Sequence, residues 1–131
     1  MAVNVLDDFC HEPDIWNALF GEEQVVAIIN PNGRAAHEWG ERAANGAWHG
    51  HGGPRNRLVS AVSIVHQLSP STLRTRSVTL IHNPWATNPL PLDAIPIPQT
   101  TISVPDGEIH RHEGRDHADI LAVPNPWPVP D

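Results

Sequence analysis

The sequence contains no lysine and no tyrosine, and only one of its 131 residues is a cysteine. All eight basic residues are therefore arginines, and the formal net charge is −7 at pH 7. A single cysteine excludes an internal disulfide framework and a zinc cluster held by several thiolates. Nucleic acid is not expected as a direct ligand, because phosphate binding requires a basic surface.

Long hydrophobic runs are also absent from the sequence. No apolar stretch approaches the ~20 residues of a transmembrane helix, so no membrane partner is predicted. Asp7 and Asp8 occur before any apolar stretch forms, which predicts that no signal peptide directs secretion. No motif for a serine nucleophile or a phosphate-binding loop is present. These absences favour a protein that is not an enzyme.

Proline, histidine and tryptophan are frequent for a chain of this length, with 14, 9 and 5 copies. The length fits one domain, since most domains have about 100–150 residues. The prolines cluster in the C-terminal half, where each one removes a backbone donor and favours extended geometry. We predict a single small domain over residues 1–123, with an extended proline-rich arm over residues 83–98. A proline-rich tail is predicted over residues 124–131.

Local patterns in the N-terminal half predict two helices and a strand. A proline at the first position, an apolar stripe and a following glycine predict a helix over residues 13–20. The β-branched run over residues 25–29 predicts a buried strand. Asn-Pro-Asn-Gly at residues 30–33 predicts a turn. A second helix is predicted over residues 34–44, and a glycine-rich loop follows it.

The next segments favour strands. Residues 58–68 and 73–82 predict a β-hairpin closed by residues 69–72, although a helix over residues 58–68 is the alternative. Further strands are predicted over residues 100–104 and 119–123, with a turn between them at residues 105–107. The predicted fold class is α+β and β-rich, with a small antiparallel sheet or barrel. One or two short helices lie in its N-terminal half.

Histidines and carboxylates alternate near the C-terminus, at His110, His112 and His117. On a strand, His110 and His112 point to the same side. With His117, and with Glu113 or Asp116 completing the site, they form a candidate ligand set for Zn²⁺ or non-haem iron. The interpretation that we favour is a solvated polar loop with scattered charge that holds no cofactor.

Residues 59–104 carry only three charged side chains yet contain many prolines. A segment of this kind exposes apolar surface, which usually marks a partner site. Interfaces also favour tryptophan and arginine over lysine. Arg74 and Arg76 are expected to form a salt bridge between elements or between subunits. The candidate partner-binding residues are Trp85, Trp127, Arg74, Arg76, Leu90, Leu92, Ile95 and Ile97.

These features predict a structural or interaction subunit that assembles with copies of itself or with other protein chains. The layout resembles that of small structural subunits of bacteriophage particles, such as head–tail connector or decoration components. The resemblance is one of architecture and rests on no motif; it implies a cytoplasmic or virion location. One alternative is a histidine-dependent metal-binding protein or small metalloenzyme that uses residues 110–117. Another is a small acidic inhibitor of a second protein.

Overall fold

The computed structural model describes residues 1–39, 41–104 and 107–129, except for the side chains of four residues: Val26, His37, Glu38 and Trp39. The described chain is α+β and dominated by strands. In chain order, its elements are β1 (Ala2–Val5), α1 (Glu12–Phe20), β2 (Val25–Ile29), β3 (Ala35–Trp39), β4 (His49–Gly50), β5 (Gly53–Pro54), β6 (Ala61–His66), a 3₁₀ turn (Pro70–Thr72), β7 (Val78–His82), β8 (Gln99–Ile102), β9 (Ile109–His112) and α2 (His117–Ile120).

The chain forms two compact units. The sheet unit consists of Met1–Phe9 and Arg57–Asp131, and the inserted unit is Cys10–Asn56. Within the described residues, no helix is long and apolar enough to cross a membrane.

The sheet unit contains one five-stranded sheet in the order β1-β6-β7-β8-β9. The β6–β7 and β8–β9 pairs are antiparallel, whereas the β1–β6 and β7–β8 pairs are parallel. The sheet is therefore mixed, and the predicted antiparallel arrangement is wrong for half of its pairings. Because β1 and β9 are edge strands, the described strands form an open sheet and a barrel is not confirmed.

Residues 61–66 form strand β6, so the predicted strand within residues 58–68 is confirmed and the alternative helix is wrong. Strand β6 pairs with β7 in a register that places Val62 opposite Ile81 and Val65 opposite Val78. The connecting loop is longer than predicted because Thr72 organises it locally. The Thr72 Oγ1 hydroxyl accepts a hydrogen bond from the Ser69 amide at 2.8 Å and donates one to the Gln67 carbonyl at 2.9 Å. Such side-chain bonds compete with the strand ladder.

Residues 83–98 form the crossover that the parallel β7–β8 pair requires. The crossover packs on its own sheet, where buried Ile97 joins Ala61 and Leu80 in an apolar cluster. The Thr87 amide also donates to the Arg57 carbonyl at 2.7 Å. A projecting arm over these residues is therefore not confirmed.

The inserted unit has an aromatic core. The predicted helix is confirmed as α1, which buries Trp16, Leu19 and Phe20. The Phe20 ring meets the buried Trp48 ring edge-on, with 5.3 Å between centroids. Gly21 ends the helix at φ 98°, the left-handed region that favours glycine.

Strands β2 and β3 form an antiparallel hairpin in the inserted unit. The predicted turn is confirmed, since the Gly33 amide donates to the Asn30 carbonyl at 2.8 Å. The helix predicted over residues 34–44 is wrong: residues 35–39 form β3, residues 41–44 are not helical, and residue 40 lies outside the described residues. The tight turn brings residues 35–39 back beside β2, and strand pairing there overrides the weak helix propensity.

The strand predicted over residues 119–123 is also wrong, because the short helix α2 occupies part of that segment. Asp116 caps this helix by accepting a hydrogen bond from the Ala118 amide at 2.7 Å. The predicted turn at residues 105–107 falls largely on residues 105 and 106, which lie outside the described part of the chain. Residues 130 and 131 of the predicted tail also lie outside it.

Candidate functional site

Arg74 joins the β6–β7 loop to the C-terminal segment of the sheet unit. Its Nη1 atom lies 2.7 Å from the Asp119 carboxylate, which confirms the predicted salt bridge between elements. Its Nε atom donates to the carbonyl oxygens of Val123 and Pro124 at 3.1 and 3.0 Å. Arg74 lies in the loop rather than on the second strand of the hairpin, so the predicted strand position is wrong. One planar guanidinium therefore fixes both α2 and the start of the tail.

Replacing Arg74 with lysine should release this C-terminal segment. An ammonium group cannot reproduce the guanidinium fork, so the loss should be about 1–2 kcal/mol of unfolding free energy. Hydrogen exchange should accelerate over residues 118–123, which can be measured by mass spectrometry. The control Arg115→Lys changes an exposed arginine of the same unit. Equal exchange in the two variants would show that Arg74 does not hold the segment.

Arg76 also lies in the loop rather than on a strand. Its Nη2 atom donates to the Gln67 side-chain oxygen at 2.9 Å, within the same loop. Its Nε atom is buried without a hydrogen-bond partner. In the described structure, Arg76 thus supports the fold of the loop.

The two tryptophans predicted to bind a partner, Trp85 and Trp127, form hydrogen bonds within the sheet unit. Trp127 Nε1 donates a hydrogen bond to the Pro70 carbonyl, so the tail contacts the β6–β7 loop. The Trp85 amide donates to Asn83 Oδ1 at 3.0 Å, and its carbonyl accepts from Arg57 Nε at 3.0 Å. Both residues are partly buried. Their role as anchors in another subunit stays a prediction.

The four predicted apolar contact residues separate into two pairs. Ile97 is buried in the sheet cluster, and Leu90 packs against that cluster. Leu92 and Ile95 have exposed side chains. Only the second pair therefore offers substantial apolar surface to a partner.

A buried polar pair holds the segment that carries Leu92 and Ile95. Gln99 Oε1 lies 2.6 Å from His82 Nε2, and both side chains are buried. The Gln99 amide nitrogen donates to the carbonyl oxygens of Leu92 and Ile95 at 2.6 and 2.8 Å. This arrangement was missed from the sequence, since neither residue belongs to a motif. The only signal in the sequence was a polar side chain, Gln99, directly before the strand predicted over residues 100–104.

Residues 109–112 form strand β9, so the favoured prediction of a polar loop is wrong for these residues. His110 and His112 lie on one face of β9, as expected for alternate residues of a strand. Each ring contacts a hydroxyl from the β8 side: His110 Nε2 is 3.0 Å from Ser103 Oγ, and His112 Nε2 is 2.9 Å from Thr101 Oγ1. His110 also lies 3.7 Å from the Glu108 carboxylate. The strand therefore presents two imidazoles, each with its own hydroxyl partner.

His117 lies at the start of α2. Its Nδ1 atom is 3.3 Å from the Asp116 carboxylate, while its Nε2 atom is buried without a partner. Among the residues that the structure describes, no group of three or more His, Cys, Asp or Glu side chains could hold a metal ion. His110, His112 and His117 are therefore not brought together as one ligand set, and metal binding stays a prediction.

Among the described strands, β2 of the inserted unit exposes the most apolar side chains. Val25, Ile28 and Ile29 are 52%, 39% and 76% exposed, so the prediction that this strand is buried is wrong. Among the described strands, β2 pairs only with β3, and its outer edge is free. The strand contains no charged residue. It therefore offers both apolar side chains and unpaired backbone groups, which favour strand addition by a partner.

The chain was compared with protein families, with characterised proteins and with solved structures, and none of the three comparisons finds a match.

Proposed function

We propose that this protein is a non-enzymatic structural subunit that assembles with other protein subunits, including copies of itself. The single observation that carries the proposal is the exposure of β2, an uncharged β-branched strand with a free edge. Exposed edges of this type promote association unless they are covered, and natural proteins usually protect them with charge, proline or a bulge.

The other exposed apolar side chains support the same proposal. In the sheet unit, Leu58, Leu92, Ile95 and Leu121 are exposed. Burial of apolar surface is the main driving force of protein association. The absence of lysine from the sequence also matches the composition of interfaces, which are depleted in this residue.

The particular class that we favour is the small connector or decoration subunit of a bacteriophage particle. This part of the proposal is supported by the small size, the mixed sheet with short helices and the proline-rich C-terminal half. It places the protein in the virion, or in the cytoplasm before assembly.

Sedimentation velocity over a wide concentration range tests the proposal. We expect the untagged protein to sediment as an oligomer at micromolar concentration and to dissociate on dilution. Added salt should weaken the oligomer little, because the apolar strand lacks charge. Sedimentation as a monomer at every concentration would contradict self-assembly.

A further inference from the structure

We infer that β2 pairs antiparallel with β2 of a second copy of this chain, about a twofold axis at Ala27. The inference rests on the proposed function and names the partner and the register of the same exposed strand. The resulting four-stranded sheet has the order β3-β2-β2-β3 across the two copies. Closed twofold symmetry is the commonest arrangement of soluble homo-oligomers.

The hydrogen-bond pattern of the hairpin shows which backbone groups of β2 are free. The Asn30 amide donates to the Arg34 carbonyl at 3.0 Å, and the same register places Ile28 opposite Ala36 and Ala27 opposite His37. Hydrogen-bonded and non-hydrogen-bonded pairs alternate along an antiparallel ladder. Ile28 therefore directs its backbone groups toward β3. The backbone groups of Val25, Ala27 and Ile29 point to the free edge.

These three residues make β2 self-complementary. Centring the antiparallel pair on Ala27 sets Ala27 opposite its own copy and Val25 opposite Ile29. Every outward amide and carbonyl of the five-residue strand then has a partner, which gives about six hydrogen bonds between the copies. The two Val25–Ile29 pairs join β-branched side chains, a favourable combination across strands.

Charge favours the same orientation. The chain carries −7 overall, so a stable contact between copies must avoid opposing carboxylates. Strand β2 is uncharged, with exposed Glu22 before it and exposed Arg34 after the turn. Antiparallel pairing brings the Glu22 end of one copy toward the Arg34 end of the other. Parallel pairing would bring the two Glu22 ends together.

A cysteine at position 27 tests the register directly. In a Cys10→Ser background, Ala27→Cys should form a disulfide-linked dimer under mild oxidation, detected as a doubled intact mass. The Cα atoms of a hydrogen-bonded pair are about 5.5 Å apart, within the ~4.4–6.8 Å that a disulfide spans. Val25→Cys is the matched control, because its copy lies about 13 Å away along the strands. Combining Val25→Cys with Ile29→Cys should restore the crosslink.

Two single proline variants, one in β2 and one in β3, provide a second, independent test. Ala27→Pro removes an outward amide at the centre of the new ladder while leaving the β2–β3 hydrogen bonds in place. We expect the dimer dissociation constant to rise at least about tenfold. Ala35→Pro places the same change on the outer edge of β3 and should leave association unchanged. Far-UV circular dichroism establishes that each variant retains the parent fold.

The outcomes separate this inference from the proposed function. An oligomer that crosslinks in the Ala27→Cys variant but not in the Val25→Cys variant supports both. An oligomer that fails to crosslink in the Ala27→Cys variant, or that crosslinks equally in the two single variants, overturns the β2 pairing and leaves the assembly proposal standing. A protein that is monomeric at every concentration overturns both.

Discussion

Replacing Trp48 with alanine is expected to lower the free energy of unfolding by about 3–5 kcal/mol. Trp48 is only 1% exposed, and its ring packs edge-on against Phe20 in the inserted unit. The backbone amide of Trp48 also donates to the Leu19 carbonyl at 2.8 Å, which holds the Trp48 backbone beside the end of α1. Truncation leaves a cavity beside Phe20, and the few other side chains that are buried in the described part of this unit cannot fill it by relaxation.

Urea denaturation followed by far-UV circular dichroism measures this loss. Trp48→Phe should cost less than Trp48→Ala, because a smaller ring still contacts Phe20. Leu58→Ala, at an exposed position, should change stability by less than about 0.5 kcal/mol. If Trp48→Ala were as stable as Leu58→Ala, the aromatic core would not hold the inserted unit together.

The second large effect is expected at Gln99. Its amide group joins the buried His82 ring to two carbonyl groups of the crossover, those of Leu92 and Ile95. Gln99→Leu keeps a similar volume but removes all three hydrogen bonds. We expect a loss of about 2–4 kcal/mol of unfolding free energy, because buried polar groups are left without partners.

Hydrogen exchange and urea denaturation together test the role of Gln99. The amides of the 83–98 crossover that are protected in the parent protein should exchange faster in Gln99→Leu. Gln24→Leu is the matched control, since Gln24 is exposed, and its stability should change by less than about 0.5 kcal/mol. A Gln99→Leu protein as stable as Gln24→Leu would contradict the proposed role of the buried pair.

Local signals in the sequence predicted several elements correctly. The proline in the first turn of α1, the glycine after the helix, and the Asn-Pro-Asn-Gly turn act through backbone geometry alone. Strand β6 followed from β-branched content, although a helical stripe matched the same residues. Each of these depends on neighbouring residues and little on the rest of the fold.

The errors arose where distant pairing decides the structure. Residues 35–39 match a helix when read alone, yet the turn before them places them beside β2. The parallel β1–β6 pair joins segments separated by more than fifty residues, which no local pattern indicates. Likewise, the Gln99 side chain holds residues 83–98 on the sheet by donating to the carbonyl groups of Leu92 and Ile95. The proline content of this segment does not reveal that contact.

The candidate site was only partly predictable, because it too combines local signals with distant pairing. The sequence indicated Arg74 as a salt-bridge residue. It did not predict β9, although it did predict that His110 and His112 would share a face if they lay on a strand. Burial of β2 was predicted because five apolar residues in a row usually lie in a core. In the β2–β3 hairpin, none of the described side chains is buried. The strand that was wrongly predicted to be buried is therefore the exposed surface on which the assembly proposal rests.

The measurement that tests the central claim most directly is a native mass spectrum of the untagged protein, since it resolves both subunit number and bound metal. Our account predicts even multiples of the 14.4 kDa chain mass, led by the dimer, with no transition-metal ion attached. A monomer that carries one transition-metal ion at every concentration would contradict it and would favour the histidine-dependent alternative instead.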